Sequence, residues 1–192
     1  MGMPQTARRY TVDEVLAFPS DGNRYELVHG ELLVSPAPRI RHQLVVGEIF
    51  FRLRSYVAEH SDVARVLLSA ADISWAEDLL VQPDVFVVPA EEMSEEWSSI
   101  RTLLLAVEVI SPRTARHDRV VKRAAYQEQG VPTYWIVDPD AAVVEVWRPE
   151  DRRPEIVTDV LRWRVSPEAA ELEIALHEVV RADDVASRET RG

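Results

Sequence analysis

The spacing of apolar residues near the N-terminus predicts a short helix, a hairpin and a long helix. Thr11 and Glu14 have the capping-box spacing at the start of the stretch TVDEVLAFP, which predicts a short helix. The stretch RYELVHGELLVSP contains two short apolar segments around His29-Gly30, a pattern typical of a β-hairpin. From Ile40 to Val57 the apolar residues recur at helical spacing, which predicts the longest amphipathic helix of the chain.

The middle of the chain is rich in short apolar stretches that indicate strands. These are VARVLLSA, ADISW and LLVQPDVFVVP; Pro83 in the last of them can only start a strand or lie at an edge. Leu103 to Ile110 is almost continuously apolar, as expected for a strand covered on both faces. We then expect a helix from about Ala115 to Gln129, with Thr114 as its N-cap and Gly130 ending it.

The C-terminal part of the chain continues the sheet. PTYWIVDP predicts another buried strand, and the alternating stretch AVVEVWRP predicts its antiparallel neighbour. IVTDVLRWRV follows, and LEIALHEVV fits either a strand or a helix. The order of elements predicts an α/β protein with a mixed central sheet flanked by helices and an N-terminal β-hairpin, and it does not favour a doubly wound sheet.

Composition narrows the class of protein further. The 192 residues are expected to form one domain spanning 1–192, with 46% hydrophobic composition to build its core. The absence of cysteine excludes disulfides and thiolate zinc sites. The apolar runs are too short to span a bilayer, and MGMPQTARRY lacks the apolar core of a signal peptide, so we expect a soluble cytoplasmic protein.

Charge is unevenly distributed along the chain. The net charge of −11 and the pI near 4.9 weigh against a protein that simply coats nucleic acid. Between Ser111 and Ala125, however, five basic residues accompany a single acid, Asp118. A locally basic helix of this kind can meet phosphate, although a solvated helix face explains the same charges.

Two carboxylates stand out against their apolar surroundings. Glu108 lies in the middle of an apolar strand, where an ionised carboxylate costs several kcal/mol unless a basic partner, a metal ion or an opening to a cleft compensates it. Asp84 directly follows a proline at the start of the apolar stretch VFVV. If the two strands are neighbours, the two acids converge into an oxygen-rich site suited to Mg²⁺, which polarises a phosphodiester and lowers the pKa of a bound water. The alternative is an acid at a strand boundary and a structurally paired glutamate.

Lys122 is the one lysine in a chain with 21 arginines. It lies 122 − 108 = 14 residues after Glu108, enough for a helix to fold back over the strand, so its ammonium can reach between the carboxylates and orient or help deprotonate a water. The alternative is an i,i+4 ion pair with Asp118, worth ~0.3–0.5 kcal/mol. That pair does not explain why this residue is lysine rather than arginine.

Four stretches together resemble a known family. They are YELVHGEL, SPAPRIRHQ, QPDVFVV and AVEVISPRTARHDRVVKRAAYQEQGVPTYWIVDP. From about Asp21 to Arg148 the chain resembles the bacterial Uma-type restriction endonuclease family of the PD-(D/E)XK nuclease superfamily. The resemblance implies a restriction-endonuclease-like core, with Asp84 as the first acid and Glu108 as the second metal ligand. The superfamily usually has its lysine two residues beyond that glutamate, where this chain has Ile110, so Lys122 would be a migrated lysine entering the site from the following helix.

The family pattern also includes Glu26 and His42. Glu26 would be an outer carboxylate, although a hairpin glutamate paired with Arg24 or Arg41 is the favoured interpretation. His42 would approach a phosphate or a metal-associated water, although a hydrogen-bonded structural histidine is the commoner case. Asp118 is expected to position Lys122. Tyr126 either packs over the same site or belongs to the core.

These features together predict a Mg²⁺- or Mn²⁺-dependent DNA endonuclease. Asp84, Glu108 and the backbone carbonyl of Val109 would bind the ion. The candidate phosphate contacts are Arg39, Arg41, Arg52, Arg54, Arg113, Arg116, Arg119 and Arg123. Because cutting a duplex usually requires two sites, we expect a homodimer. The alternative function is a catalytically inactive nuclease-fold scaffold that binds protein or nucleic acid, which the acidic net charge favours.

Overall fold

A computed structural model describes residues 8–180, which form four α-helices and twelve strands. The helices are α1 (Val12–Leu16), α2 (Ile40–Ala58), α3 (Arg123–Glu128) and α4 (Leu176–Val180). The strands are β1 (Arg24–Val28), β2 (Glu31–Ser35), β3 (Ala64–Leu68), β4 (Ile73–Ala76), β5 (Leu79–Val81), β6 (Val85–Pro89), β7 (Leu105–Val109), β8 (Tyr134–Asp138), β9 (Val143–Trp147), β10 (Glu155–Val157), β11 (Val160–Trp163) and β12 (Leu172–Ala175). The ends of the predicted domain, residues 1–7 and 181–192, lie outside the described residues.

The central sheet has six strands in the order β10-β9-β8-β7-β6-β3. Strands β7 and β8 pair in parallel, and the other neighbours in this sheet are antiparallel. A second, four-stranded sheet has the order β2-β1-β5-β4, and β11 pairs with β12. This architecture confirms the predicted mixed central sheet, and the connection from β7 to β8 runs through α3.

The central sheet is covered on both faces. One face packs against α2 and the C-terminal elements, and Val107 and Val109 of β7 point into that core. The other face packs against the four-stranded sheet and α3, and Ala106 and Ile110 point into this second core. Every residue of β7 is buried, as the continuous apolar run predicted. Glu108, between Val107 and Val109, therefore shares the face of Ala106 and Ile110.

The N-terminal elements agree with their sequence signals. Thr11 caps α1 with a capping box in which Glu14 accepts a hydrogen bond from the Thr11 amide at 2.9 Å. Strands β1 and β2 form the predicted hairpin, and Gly30 has φ +76° at its turn, a conformation that favours glycine. The long helix α2 matches the predicted range, and its core-facing residues include Ile49 and Leu53.

The helix after β7 differs from the prediction in its first turns. Residues His117–Lys122 are π-helical and continue directly into α3. Thr114 is not a side-chain N-cap, because its hydroxyl accepts a hydrogen bond from the Ser111 amide at 3.1 Å. Both Asp118 and Lys122, in the widened segment, are buried. Gly130, at φ +68°, ends the helix as predicted.

Two other stretches, each described as one unit in the sequence, form two elements each. LLVQPDVFVVP forms two strands in two sheets, β5 and β6, joined by the segment Gln82–Asp84 that contains Pro83. LEIALHEVV, which fits either a strand or a helix by its pattern, forms strand β12 in its first half and helix α4 in its second half. No helix in the described residues is long and apolar enough to cross a membrane.

Candidate active site

Lys122 is enclosed by three carboxylates. Its Nζ lies 2.9 Å from Glu108 Oε1, 2.9 Å from Glu26 Oε2 and 3.1 Å from Asp118 Oδ1. The three acids come from β7, β1 and the π-helical segment, so three separate elements converge on one ammonium group. Burial alone would lower the pKa of Lys122, but the charges of Asp118, Glu108 and Glu26 outweigh it and raise that pKa well above the usual value. Lys122 is therefore held as a cation.

Glu108 is a buried acid whose ionisation is disfavoured by its surroundings. Loss of solvation raises the pKa of Glu108 well above its usual value; the Lys122 charge opposes this effect, and repulsion from neighbouring acids adds to it. Glu108 Oε1 accepts hydrogen bonds from Lys122 and from the Tyr126 hydroxyl, the latter at 3.2 Å. Tyr126 is fully buried, so it belongs both to the core and to the site. A proton or a cation at Glu108 would relieve the repulsion.

Asp84 directly precedes β6 and lies opposite Glu108 of the neighbouring strand β7. Its backbone amide donates to the Val107 carbonyl at 3.0 Å, and its Oδ2 accepts from the Val109 amide at 2.9 Å. Its Oδ1 accepts two hydrogen bonds from the Arg24 guanidinium, each at 2.9 Å. Burial opposes ionisation, but the hydrogen bond with His42 and the Arg24 charge outweigh it and lower the pKa of Asp84 to about 2.

Glu26 joins the site through a contact that the sequence did not indicate. Its Oε1 accepts from the Gln82 amide at 2.8 Å, and its Oε2 forms the ion pair with Lys122. The ion-pair partner of Glu26 is Lys122, whereas the Arg24 guanidinium donates to Asp84 and to the Gln82 carbonyl, and Arg41 contacts Asp140 and Pro139. The four-stranded sheet packs against the face of the central sheet that carries Glu108, and this packing brings Glu26 of β1 to Lys122.

His42 and Asp118 each contact another charged residue of the cluster. The Nε2 atom of His42 lies 3.4 Å from Asp84 Oδ1, so the histidine supports that carboxylate from α2. Asp118 contacts Lys122, as expected, and its backbone carbonyl accepts from the Tyr134 hydroxyl at 3.2 Å. Both side chains line the same cavity as Asp84 and Glu108.

The cluster carries more negative than positive charge. Its buried acids are Glu26, Asp84, Glu108 and Asp118, and its permanent cations are Arg24 and Lys122. With all of them ionised the formal charge is −4 + 2 = −2. Such a set suits a divalent cation, which would neutralise it. Within residues 8–180, no group of three or more His, Asp or Glu side chains is arranged so that it could hold a metal ion.

A cavity of about 780 Å³ opens onto the cluster. Of the predicted phosphate contacts, Arg39, Arg41 and Arg113 line it. The other five predicted arginines do not line this cavity. Three of them contact other residues: Arg119 pairs with Asp138 and Glu145, Arg52 pairs with Glu48 and Glu178, and Arg123 stacks over Trp147. The remaining two, Arg54 and Arg116, are exposed to solvent. Local sequence predicts that these arginines are on the surface of a helix, but only the folded structure determines which of them face the cavity.

Sequence reasoning missed two residues of the site. Arg24 binds Asp84 across 60 positions of sequence, and Gln82 binds Glu26 across 56. The only local signal for Gln82 is its place beside the Pro83-Asp84 pair. Arg24 carries no local signal, because its partner Asp84 lies 60 positions further along the chain, in the segment between β5 and β6.

The fold and this cluster together define a protein of the restriction-endonuclease-like class. A family model described as "Uma2: Putative restriction endonuclease" matches residues 12–177, and the chain belongs to this family. The family resemblance seen in the sequence motifs is thus confirmed. The chain is also similar to the crystal structure of a "putative nuclease belonging to DUF820" from Anabaena variabilis ATCC 29413, with 23% identity, a TM-score of 0.74 and coverage of 90% of this chain and 98% of that chain. No curated protein matches the chain.

Proposed function

We propose that the protein is a Mg²⁺- or Mn²⁺-dependent endonuclease that hydrolyses phosphodiester bonds in DNA. One observation carries the proposal: of the six buried charged residues in the described part of the chain, five form the cluster beside the cavity. Burying so many charges costs stability, and such a cost is typical of a functional site. Membership of a family described as "Putative restriction endonuclease" supports the same class of reaction.

Asp84 and Glu108 are the residues that would hold the ion, together with the carbonyl of Val109, and all three residues line the cavity. They fit the ion in donor chemistry, since hard oxygen ligands suit Mg²⁺ and Mn²⁺, and in charge, since the cluster has an excess of two negative charges when fully ionised. An ion bound there would polarise the phosphodiester and lower the pKa of a water.

Lys122 acts as a fixed positive charge in this proposal. Because its pKa is raised well above the usual value, the amine stays protonated and cannot serve as the general base. Its Nζ donates to Glu108 Oε1 at 2.9 Å and lies within 3.1 Å of the carboxylates of Glu26 and Asp118, so the ammonium group is surrounded by negative charge. Lys122 therefore holds the acids in position and stabilises negative charge that develops beside Glu108.

DNA would enter through the cavity. Arg39, Arg41 and Arg113 line its wall and supply positive charge in an otherwise acidic protein. Each of these arginines that neutralises a phosphate would steepen the dependence of DNA affinity on salt. Cutting both strands of a duplex calls for two such sites, so a homodimer remains part of the proposal.

The test is cleavage of supercoiled plasmid by the purified protein with Mg²⁺ or Mn²⁺. We expect the wild type to nick or linearise the plasmid and Glu108→Gln to fail. The matched control is Glu145→Gln, which also neutralises a buried acid of the central sheet but one that pairs with Arg119 outside the cavity. The control should cut at the wild-type rate. Failure of the wild type with both metals and with linear, supercoiled and single-stranded DNA would refute the proposal.

A second candidate function is a non-catalytic scaffold with the same fold. The net charge of −11 favours it, because an acidic surface opposes tight binding of DNA. For this candidate we expect no cleavage by any variant, while Glu108→Gln leaves binding to protein partners unchanged.

A further inference from the structure

The lone pairs of Asp84 Oδ1 are already in use. Both Nη1 and Nη2 of Arg24 donate to this oxygen at 2.9 Å, and His42 Nε2 lies 3.4 Å from it. A carboxylate oxygen offers about two lone-pair positions. Asp84 Oδ1 therefore cannot accept a cation while the Arg24 guanidinium stays in place.

The charge of Arg24 extends this effect to the whole cluster. The charges of Asp84, Glu108 and Glu26 outweigh its burial and raise the pKa of Arg24. Its guanidinium thus interacts with both acids of the candidate metal pair. A divalent ion between Asp84 and Glu108 would lie beside a like charge, and repulsion at such short range in a partly buried site is strong.

Arg24 can leave this position, whereas Lys122 cannot. The Lys122 side chain is 4% exposed and surrounded by three acids, whereas the Arg24 side chain is 21% exposed and lines the cavity. Apart from Asp84, Arg24 donates to the Gln82 carbonyl at 3.1 Å. Its long side chain, which begins at the first residue of β1, can therefore swing into open space without breaking the core.

We propose that Arg24 is a resident counter-ion of Asp84 that yields its place when a divalent cation binds, and that its guanidinium then turns into the cavity to meet a phosphate of the substrate. The proposal rests on the proposed function. A planar guanidinium with paired donors matches a phosphate as well as it matches a carboxylate. Arg24 would thus keep the metal-free site neutralised and couple binding of the ion to binding of the substrate.

The experiment is a calorimetric titration of the full chain with Mn²⁺ in the absence of DNA. We compare the wild type with Arg24→Gln and expect the variant to bind Mn²⁺ about tenfold more tightly or better, since a competing charge is removed. Arg113→Gln is the matched control, because Arg113 also lines the cavity but has no hydrogen bond or ion pair with Asp84 among the described residues. The control should shift the affinity by less than about threefold.

The possible results separate this inference from the proposed function. If the wild type binds Mn²⁺ and Arg24→Gln binds equally or more weakly, Arg24 is merely structural and the inference fails while the metal site stands. An equal gain in Mn²⁺ affinity in Arg113→Gln also overturns the inference, because the loss of any positive charge near the cavity would then explain the effect. If neither the wild type nor Arg24→Gln binds Mn²⁺, both proposals fall. Binding by Arg24→Gln alone overturns the inference, because Arg24 would then exclude the ion instead of yielding its place to it.

A second variant protects the test against misfolding. Arg24→Lys keeps the charge but loses the planar fork that gives two donors to one oxygen. We expect its affinity for Mn²⁺ to lie between those of the wild type and Arg24→Gln. If Arg24→Gln does not fold, Arg24→Lys decides: tighter binding than the wild type supports the inference, and equal or weaker binding overturns it.

Discussion

Replacing Glu108 by glutamine should stabilise the protein in the absence of metal, although it should abolish the proposed nuclease activity. The substitution keeps the size of the side chain and its carbonyl oxygen, which can still accept from Lys122 and Tyr126. It removes one negative charge from a cluster with four acids and two permanent cations. Lys122 retains Glu26 and Asp118 as partners, so no buried cation is left alone.

The size of this effect depends on pH. Burial raises the pKa of Glu108 above its value in the unfolded chain, so the folded state favours the protonated form. The stability that Glu108 contributes is therefore present below its unfolded pKa of about 4.3 and is lost as pH rises through the folded pKa. Neutralising such a group should gain about 1–3 kcal/mol at neutral pH. For a domain of this size, each kcal/mol raises the melting temperature by about 2–4 °C.

The assay is thermal unfolding followed by circular dichroism in EDTA, from pH 4 to pH 8. The melting temperature of Glu108→Gln should equal that of the wild type near pH 4 and exceed it increasingly toward pH 8. Glu145→Gln should show no gain, because Arg119 loses a partner at 2.5 Å. Added Mg²⁺ should then raise the melting temperature of the wild type and leave Glu108→Gln unchanged. A variant less stable than the wild type at pH 8, by an amount independent of pH, would refute the reasoning.

Other substitutions probe the remaining parts of the structure. Lys122→Met should destabilise the fold by about 3–5 kcal/mol in urea unfolding, because it leaves three buried acids without their cation. Adding Glu108→Gln to this variant should restore part of the lost stability. If the effects of the two substitutions on stability simply added, Lys122 and Glu108 would not interact in one cluster. Asp84 has a pKa lowered to about 2, so its contribution is present above its unfolded pKa and is lost as pH falls through about 2. Asp84→Asn should thus cost about 2 kcal/mol at pH 7 and much less near pH 2, and a constant cost would exclude this role. Gly130→Ala, at φ +68°, should destabilise by about 1 kcal/mol, whereas Gly47→Ala inside α2, where an added Cβ meets nothing within 4 Å, should stabilise by a similar amount; the reverse order would contradict the backbone assignment.

The local elements and the most unusual residues followed from the sequence. The spacing of apolar residues was sufficient to predict α2 and β7, because the residues that face the core repeat with the periodicity of the element that carries them. Glu108 was conspicuous because a charge in an apolar strand needs compensation, and Lys122 because it is the one lysine. That Asp84 and Glu108 lie close also followed once β6 and β7 were taken as neighbours.

Only the tertiary structure decided which charges meet. The four-stranded sheet packs against the central sheet, and this packing brings Glu26 to Lys122 and Arg24 to Asp84. No local sequence pattern encodes the packing of one sheet against the other. The π-helical turn that buries Asp118 beside Lys122 was likewise missed, since helical spacing in the sequence does not distinguish an α-turn from a wider one. Ion pairs form over distances of a few ångströms in space, whatever their separation along the chain, so partners and cavity walls are properties of the folded state.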